Sequence, residues 1–194
     1  MPDSTKSDEQ ALETILKNSG LPVHREPEWR KKIPYSNFET DFLVLNKNIL
    51  VSRPSRHATL PDIEQSTELN LKVRHQGIPQ NTPYIQIEDY SQVQGATLGA
   101  RKYFINYLKN RKHLLTVIFC STSPLFNFSI KLGHRIYSFD FNIQLADDLP
   151  EAIRLAHKIL SNKELLPARK PLLPPVIQPP TESSRLRHWG RGRA

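Results

Sequence analysis

One cysteine, seven glycines and no long apolar run set the first limits on this 194-residue chain. A lone Cys120 excludes an internal disulfide and fits a reducing compartment. No apolar stretch approaches the ~18–20 residues of a membrane-spanning helix. The opening MPDSTKSDEQ is polar and acidic, unlike a secretory signal. These features together predict a cytoplasmic protein. Scarce glycine leaves no GxSxG, Walker or dinucleotide-binding pattern. The seven histidines show no HxxxH, HExxH or Cys/His pairing, so neither a metal nor a cofactor is expected.

What is abundant is proline, with 16 residues spread unevenly, and positive charge, +8 overall. Residues 163–194 hold seven Lys and Arg against two acids, residues 1–40 six against seven, and residues 41–162 fourteen against ten. The excess thus belongs mainly to the C-terminal end. Six prolines fall between Pro167 and Pro180, a spacing that resists helix and sheet and suits an extended spacer. The sequence therefore divides into a helix and polar connector (1–40), an α/β domain (41–162) and a Pro-rich basic linker or tail (163–194), the last expected to be disordered.

Residues 8–18 have Leu12, Ile15 and Leu16 at helical spacing, with Gly20 as a stop. Residues 21–39 read as a connector that leans on the domain without entering its core. Phe42 and Val44, then Ile49 and Val51, alternate about Asn46–Lys47–Asn48, which predicts a hairpin. Thr59 and Pro61 open a helix that Gly77 closes, with Ile63, Leu69, Leu71 and Val73 as its stripe. Residues 84–108 form the centre: a short β-rich strand, charge at Glu88 and Asp89 marking its exit from the core, a polar turn over 90–95, and a helix from Thr97. Leu114 to Cys120 is a second strand apolar on both faces. A third helix over 123–136, a strand over 141–146 and a helix over 149–162 complete an alternating pattern. That order predicts an α/β fold with a mostly parallel central sheet, an N-terminal hairpin and helices packed on the sheet.

Chemistry-bearing groups are few. Cys120 precedes a predicted helix start, but a phosphatase-like loop needs an Arg where Phe126 stands. Glu88–Asp89 and Asp147–Asp148 are adjacent pairs that point to opposite faces of a strand, so neither forms a dyad, and the second pair reads as a helix cap. No enzyme is specified by these residues.

The run Asp89–Tyr90–Ser91–Gln92–Val93 has the form D-x-S-x-V at a strand end, before a small-residue turn and a helix. It resembles STAS domains, the anti-sigma-factor-antagonist type of regulatory module. Over 41–160, the stretches EDYSQVQGATLGARKYFINYL, SPLFNFSIKLGHRI and ADDLPEAIRLAHKIL are similar to STAS-like regions that precede PAS and histidine-kinase modules in bacterial sensor proteins. The resemblance implies a STAS-like fold and a non-enzymatic regulatory or sensory role in bacterial signal transduction, through contacts with a kinase, PAS module or anti-sigma-like regulator. STAS regulators carry a phosphorylatable hydroxyl in a D-S-S-G-like loop. Here the loop is Gln94–Gly95–Ala96–Thr97–Leu98–Gly99, without the Asp-Ser pair, and Thr97 stands nearest the matching place. The expected regulatory or partner-binding residues are Asp89, Ser91, Thr97, Arg101, Ser121 and Ser123, at one edge of the sheet where helix N-termini favour acidic groups. The alternative is a basic nucleic-acid-associated protein that uses its tail, although the aromatic-and-basic sheet face of single-strand binders is missing.

Overall fold

A computed structural model describes residues 4–122 and 139–162. The hairpin forms where the alternation puts it. Strands β3 (Glu39–Leu45) and β4 (Ile49–Ala58) pair antiparallel, with Leu45 opposite Ile49. Asn46, Lys47 and Asn48 form the loop; Asn46 and Lys47 both take positive φ, 49° and 57°, as the central residues of a mirror-image turn closed by Asn48 N–H donating to Leu45 O. Helix α2 (Leu60–Gly77) follows. The Asp62 carboxylate accepts from the Thr59 N–H and hydroxyl, at 2.8 and 2.7 Å. Burial pushes the Asp62 pKa up, but the Thr59 hydrogen bonds outweigh it and hold the group below its ordinary value.

Strand β5 (Tyr84–Asp89) joins β4 in parallel, β7 (Leu114–Cys120) joins β5, and β8 (Asn142–Ala146) joins β7. Helix α3 (Leu98–Lys109) precedes β7, and α4 (Leu149–Ser161) follows β8. The Thr97 hydroxyl accepts from Ala100 N–H, and the Asp148 carboxylate from Glu151 N–H, capping these two helices. The sheet order is β1 (Val23–His24)-β3-β4-β5-β7-β8, a mostly parallel α/β sheet with the hairpin at one side, as the sequence pattern leads one to expect. The helix expected over 123–136 and the tail from 163 lie outside the described residues.

Period-2 alternation divides the sheet into two faces. Leu43, Leu45, Ile49, Val51, Ile85, Ile87 and Ile118 face α4 and helix α1 (Ser4–Ser19), meeting Leu12, Leu16, Ile153 and Ile159. Phe42, Val44, Leu50, Tyr84, Val117 and Phe119 face α2 and α3, meeting Leu69, Val73, Tyr107 and Leu108. Full burial of each large aliphatic side chain contributes about 1.5–3 kcal/mol.

Two parts of the chain differ from expectation. Residues 21–39 enter the core: Trp29, Ile33 and Phe38 are buried, and Trp29 Nε1 donates to Gln76 Oε1 at 2.9 Å. Short strands β1 (Val23–His24) and β2 (Arg30–Lys32) both pair with β3. The polar appearance of 21–39 hides three large anchors spaced too irregularly to give a period. Gly77 also serves this packing, since a Cβ there would lie 2.6 Å from Val44 Cγ2 and 3.1 Å from Trp29. The polar turn expected over 90–95 is instead strand β6 (Gln92–Ala96), paired in parallel with the outer half of β4, Ser55 to Ala58. At ten residues, β4 outruns β5, and its exposed ladder groups take the next segment of chain as partner.

Candidate functional site

Between the sheet and helices α2 and α3 lies a half-open chamber of about 190 Å³. Its walls hold six aromatic rings: Phe38, Phe42, Tyr90, Phe104, Phe119 and Phe139. Its polar lining comes from Ser52, Ser66, Thr67, Asn70 and Glu88, with Arg101 the one basic residue among those described. The chamber exists because the stripe of α2 that faces the sheet is partly polar. Ser66, Thr67 and Asn70 are buried beside Leu69 and Val73, and they are too small or too polar to close the space as leucines would.

Glu88 is 2% exposed, so the charge at 88–89 does not mark an exit of β5 from the core. Alternation sends Glu88 toward the chamber and Asp89 to the other face. Gln86, two residues earlier on the same face, donates from Nε2 to Glu88 Oε1, and Ser52, its register partner on β4, also bonds the carboxyl. No lysine, arginine or histidine among the described residues pairs with it. Burial raises the Glu88 pKa to about 7, against the pull of the Gln86 and Ser52 bonds and with the push of Asp89. Nearby, the Tyr107 hydroxyl donates to Asn70 Oδ1 at 2.7 Å, while Gln86 Oε1 is buried without a hydrogen-bond partner. Burial and then the Glu88 charge push the Tyr90 phenol well above its ordinary range. This corner therefore holds one carboxyl poised near neutrality among groups that stay uncharged.

Asp89, on the opposite face, belongs to an ion-pair network. Its Oδ2 accepts from Arg53 Nε at 3.3 Å, and Asp41 Oδ2 accepts from Arg25 at 2.8 Å. Arg25 also reaches Glu9 of α1 at 2.9 Å, and Arg53 lies 3.8 Å from Asp41. Burial raises the Asp41 pKa, and Arg25, Arg53 and Arg30 only partly offset it. The network pins α1 and the connector against β3 and β4.

The residues expected at the sheet edge are partly brought together. Asp89 pairs with Cys120 across β5 and β7, Tyr90 N–H donates to Cys120 O at 3.0 Å, and Ser121 follows directly. Asp89 Oδ1 also accepts from Ser91 N–H at 3.1 Å, a local turn that leaves Ser91 exposed. Thr97 is not in this group. The intervening strand β6 carries it roughly 16 Å along, at about 3.3 Å per residue, to a position where its N–H donates to Ala58 O. Arg101 stands near Thr97, with Nε donating to Ala96 O at 2.9 Å, and borders the chamber. Ser123 lies outside the described residues. Cys120 is packed rather than poised as a nucleophile, since burial and then the Asp89 charge push its thiol pKa far up.

Sequence reasoning passed over Glu88, Gln86, Asn70 and Ser66 as site residues. The available signal was a pair of patterns: Gln86 and Glu88 at strand spacing among isoleucines, and Ser66 and Asn70 four apart on one helix.

No protein-family model matches the chain, and no curated protein matches it. Among solved structures, it is similar to an uncharacterised protein of the DUF3478 family from Shewanella loihica PV-4, described as having a SpoIIAA-like fold. The two are 14% identical, with a TM-score of 0.46 over 70% of this chain and 94% of the other. Among the described residues no group of three or more His, Cys, Asp or Glu is placed to hold a metal ion, and no helix is long and apolar enough to cross a membrane.

Proposed function

We propose that this chain is a non-enzymatic, STAS-like regulatory module that binds a small molecule in the chamber and passes its occupancy to a signalling protein at the sheet edge. The observation that carries the reading is the buried Glu88 carboxyl in the wall of an aromatic chamber. Stability alone selects against both features, because side chains that do not close on one another and a buried ionisable group without a counter-charge among the described residues each cost free energy. Their coincidence at one place suits a ligand site, where convergent polar groups sit in an apolar pocket.

Strand β5 supplies the link to the edge. Glu88 borders the chamber, Asp89 ends the strand, and Val93 and Ala96 of β6 line the chamber beside it. A ligand that presses on β6 and α3 therefore moves backbone that continues into Asp89, Ser91 and Arg101. The test is unfolding of the full chain against a panel of small ring compounds, with amide shifts recorded for a binder. A ligand present at 100 times its Kd raises stability by about 2.7 kcal/mol. Thr67→Leu, which fills the chamber, is expected to abolish that gain, and the binder is expected to shift amides from Asp89 to Arg101. A binder unaffected by Thr67→Leu, or one that leaves those amides unmoved, refutes the proposal.

A further inference from the structure

We infer that the chamber selects an organic amine: a molecule of about one ring whose protonated nitrogen pairs with Glu88 and whose apolar body lies among the aromatic rings. The inference rests on the reading of the chamber as a ligand site and adds the chemistry of the ligand.

Size comes first. A cavity of ~150 Å³ lined by apolar side chains accommodates benzene. The present chamber, at about 190 Å³, has room for one ring with a short polar arm. Charge comes second. Glu88 is buried with two neutral hydrogen-bond partners, Gln86 and Ser52, and among the described residues the charge acting on it is that of the like-charged Asp89. A buried carboxylate without a cation is costly, and a ligand ammonium supplies the missing counter-charge. Shape comes third. Phe38, Phe42, Tyr90, Phe104, Phe119 and Phe139 surround the space, and aromatic faces attract organic cations, with a larger effect when the cation is desolvated. A chamber meant for a carboxylate or phosphate would present a buried cation. Among the described lining residues the basic one, Arg101, is exposed at the border and bonded to Ala96 O, so solvent screens it from the interior.

Among the described residues, several elements bring groups close to Glu88. On the chamber side stand Ser52 of β4, Gln86 of β5, Tyr90 after it, Phe119 of β7 and Asn70 of α2, while Tyr107 of α3, and Asp89 and Cys120 on the far face of the sheet, interact with it through charge. Burial raises the Tyr90, Tyr107 and Cys120 pKa values, so these groups stay neutral between pH 5 and 8. An ammonium ligand needs the ionised carboxylate, so its apparent affinity follows the fraction of Glu88 ionised. With a pKa of about 7, that fraction increases about tenfold from pH 5 to 6, about fivefold from 6 to 7, and about twofold from 7 to 8.

The experiment compares 2-phenylethylamine with its neutral counterpart propylbenzene, titrated calorimetrically into the full chain at each of these pH values. The amine is expected to bind more tightly than propylbenzene above pH 7, with the pH profile just given. Glu88→Gln is expected to flatten the profile and weaken amine binding at least tenfold while leaving propylbenzene binding in place. Thr67→Leu is expected to remove both. Binding of propylbenzene alone, or amine binding indifferent to pH and to Glu88→Gln, overturns the amine inference and leaves the chamber as a ligand site. Failure of both probes to bind, with the wild-type chain folded, overturns the inference together with the reading beneath it.

Discussion

At the scale of single residues, the environment of a side chain outweighs its type. Glu88 and Asp89 are consecutive carboxylates, yet one meets Gln86, Ser52 and a ring of aromatics while the other meets Arg53. Burial raises the Glu88 pKa from 4.5 to about 7, so between those values the folded chain keeps a proton that the unfolded chain has released. Stability then falls as pH rises through that window, by about 1.4 kcal/mol per pH unit and on the order of 3 kcal/mol in all. The contribution is fully present below pH 4.5 and gone above 7. Asp41, also raised by burial, adds a slope of the same sign at lower pH. Urea unfolding at pH 5, 6, 7 and 8 is therefore expected to show a declining midpoint for the wild type. Glu88→Gln is expected to be nearly flat over that range and more stable at pH 8. Equal slopes for the two proteins mean that Glu88 is not buried as a neutral acid.

At the scale of elements, local signals and tertiary demands meet with different outcomes. The turn between β3 and β4 obeys the local signal, but Lys47 occupies a left-handed conformation that costs a side-chain-bearing residue about 1 kcal/mol relative to glycine. Lys47→Gly is expected to raise stability by about 0.5–1 kcal/mol without changing the fold, as read from chemical denaturation. A loss of stability means that the lysine side chain makes a contact worth more than the strain. The segment after Asp89 shows the reverse outcome. Gln92 to Ala96 contains Gly95 and two glutamines, a turn-like composition, yet the free edge of β4 draws it into the sheet. Because this strand lengthens the path between Ser91 and Thr97, a phosphate on Thr97 would act beside Ala58 and α2, not beside Asp89.

At the scale of the whole molecule, residues 4–40 are part of the folded unit. Leu12 and Leu16 of α1 are buried against the same face as α4, and Arg25 ties α1 to Asp41 through Glu9. Leu12→Ala is expected to cost about 2–5 kcal/mol, the usual range for a buried leucine. The ion pairs of Glu9, which is half-exposed, are expected to contribute under ~1 kcal/mol, and less at high salt. Thermal unfolding of Leu12→Ala and Glu9→Gln separates the two. If Glu9→Gln proves the more damaging, α1 is held by charge and not by packing.

Local pattern alone gave the hairpin with its Asn–Lys turn, the caps at Thr59 and Thr97, a cap at Asp147 or Asp148, and the apolar strands at the centre with the helices α2, α3 and α4 that alternate with them. Those features rest on near neighbours: a period of two or 3.6, a cap three residues from its N–H, a turn between adjacent strands. Tertiary structure alone decided that Trp29 closes the core, that Gln92 to Ala96 extends the sheet, and that Glu88, Ser66 and Asn70 share one chamber. Each of these depends on residues from 18 to nearly 50 positions apart brought together by separate elements (Glu88 of β5 with Asn70 of α2 in one wall, Trp29 with Gln76 of α2). A polar residue in an apolar run carries no local sign of whether it meets solvent, a partner or an enclosed space.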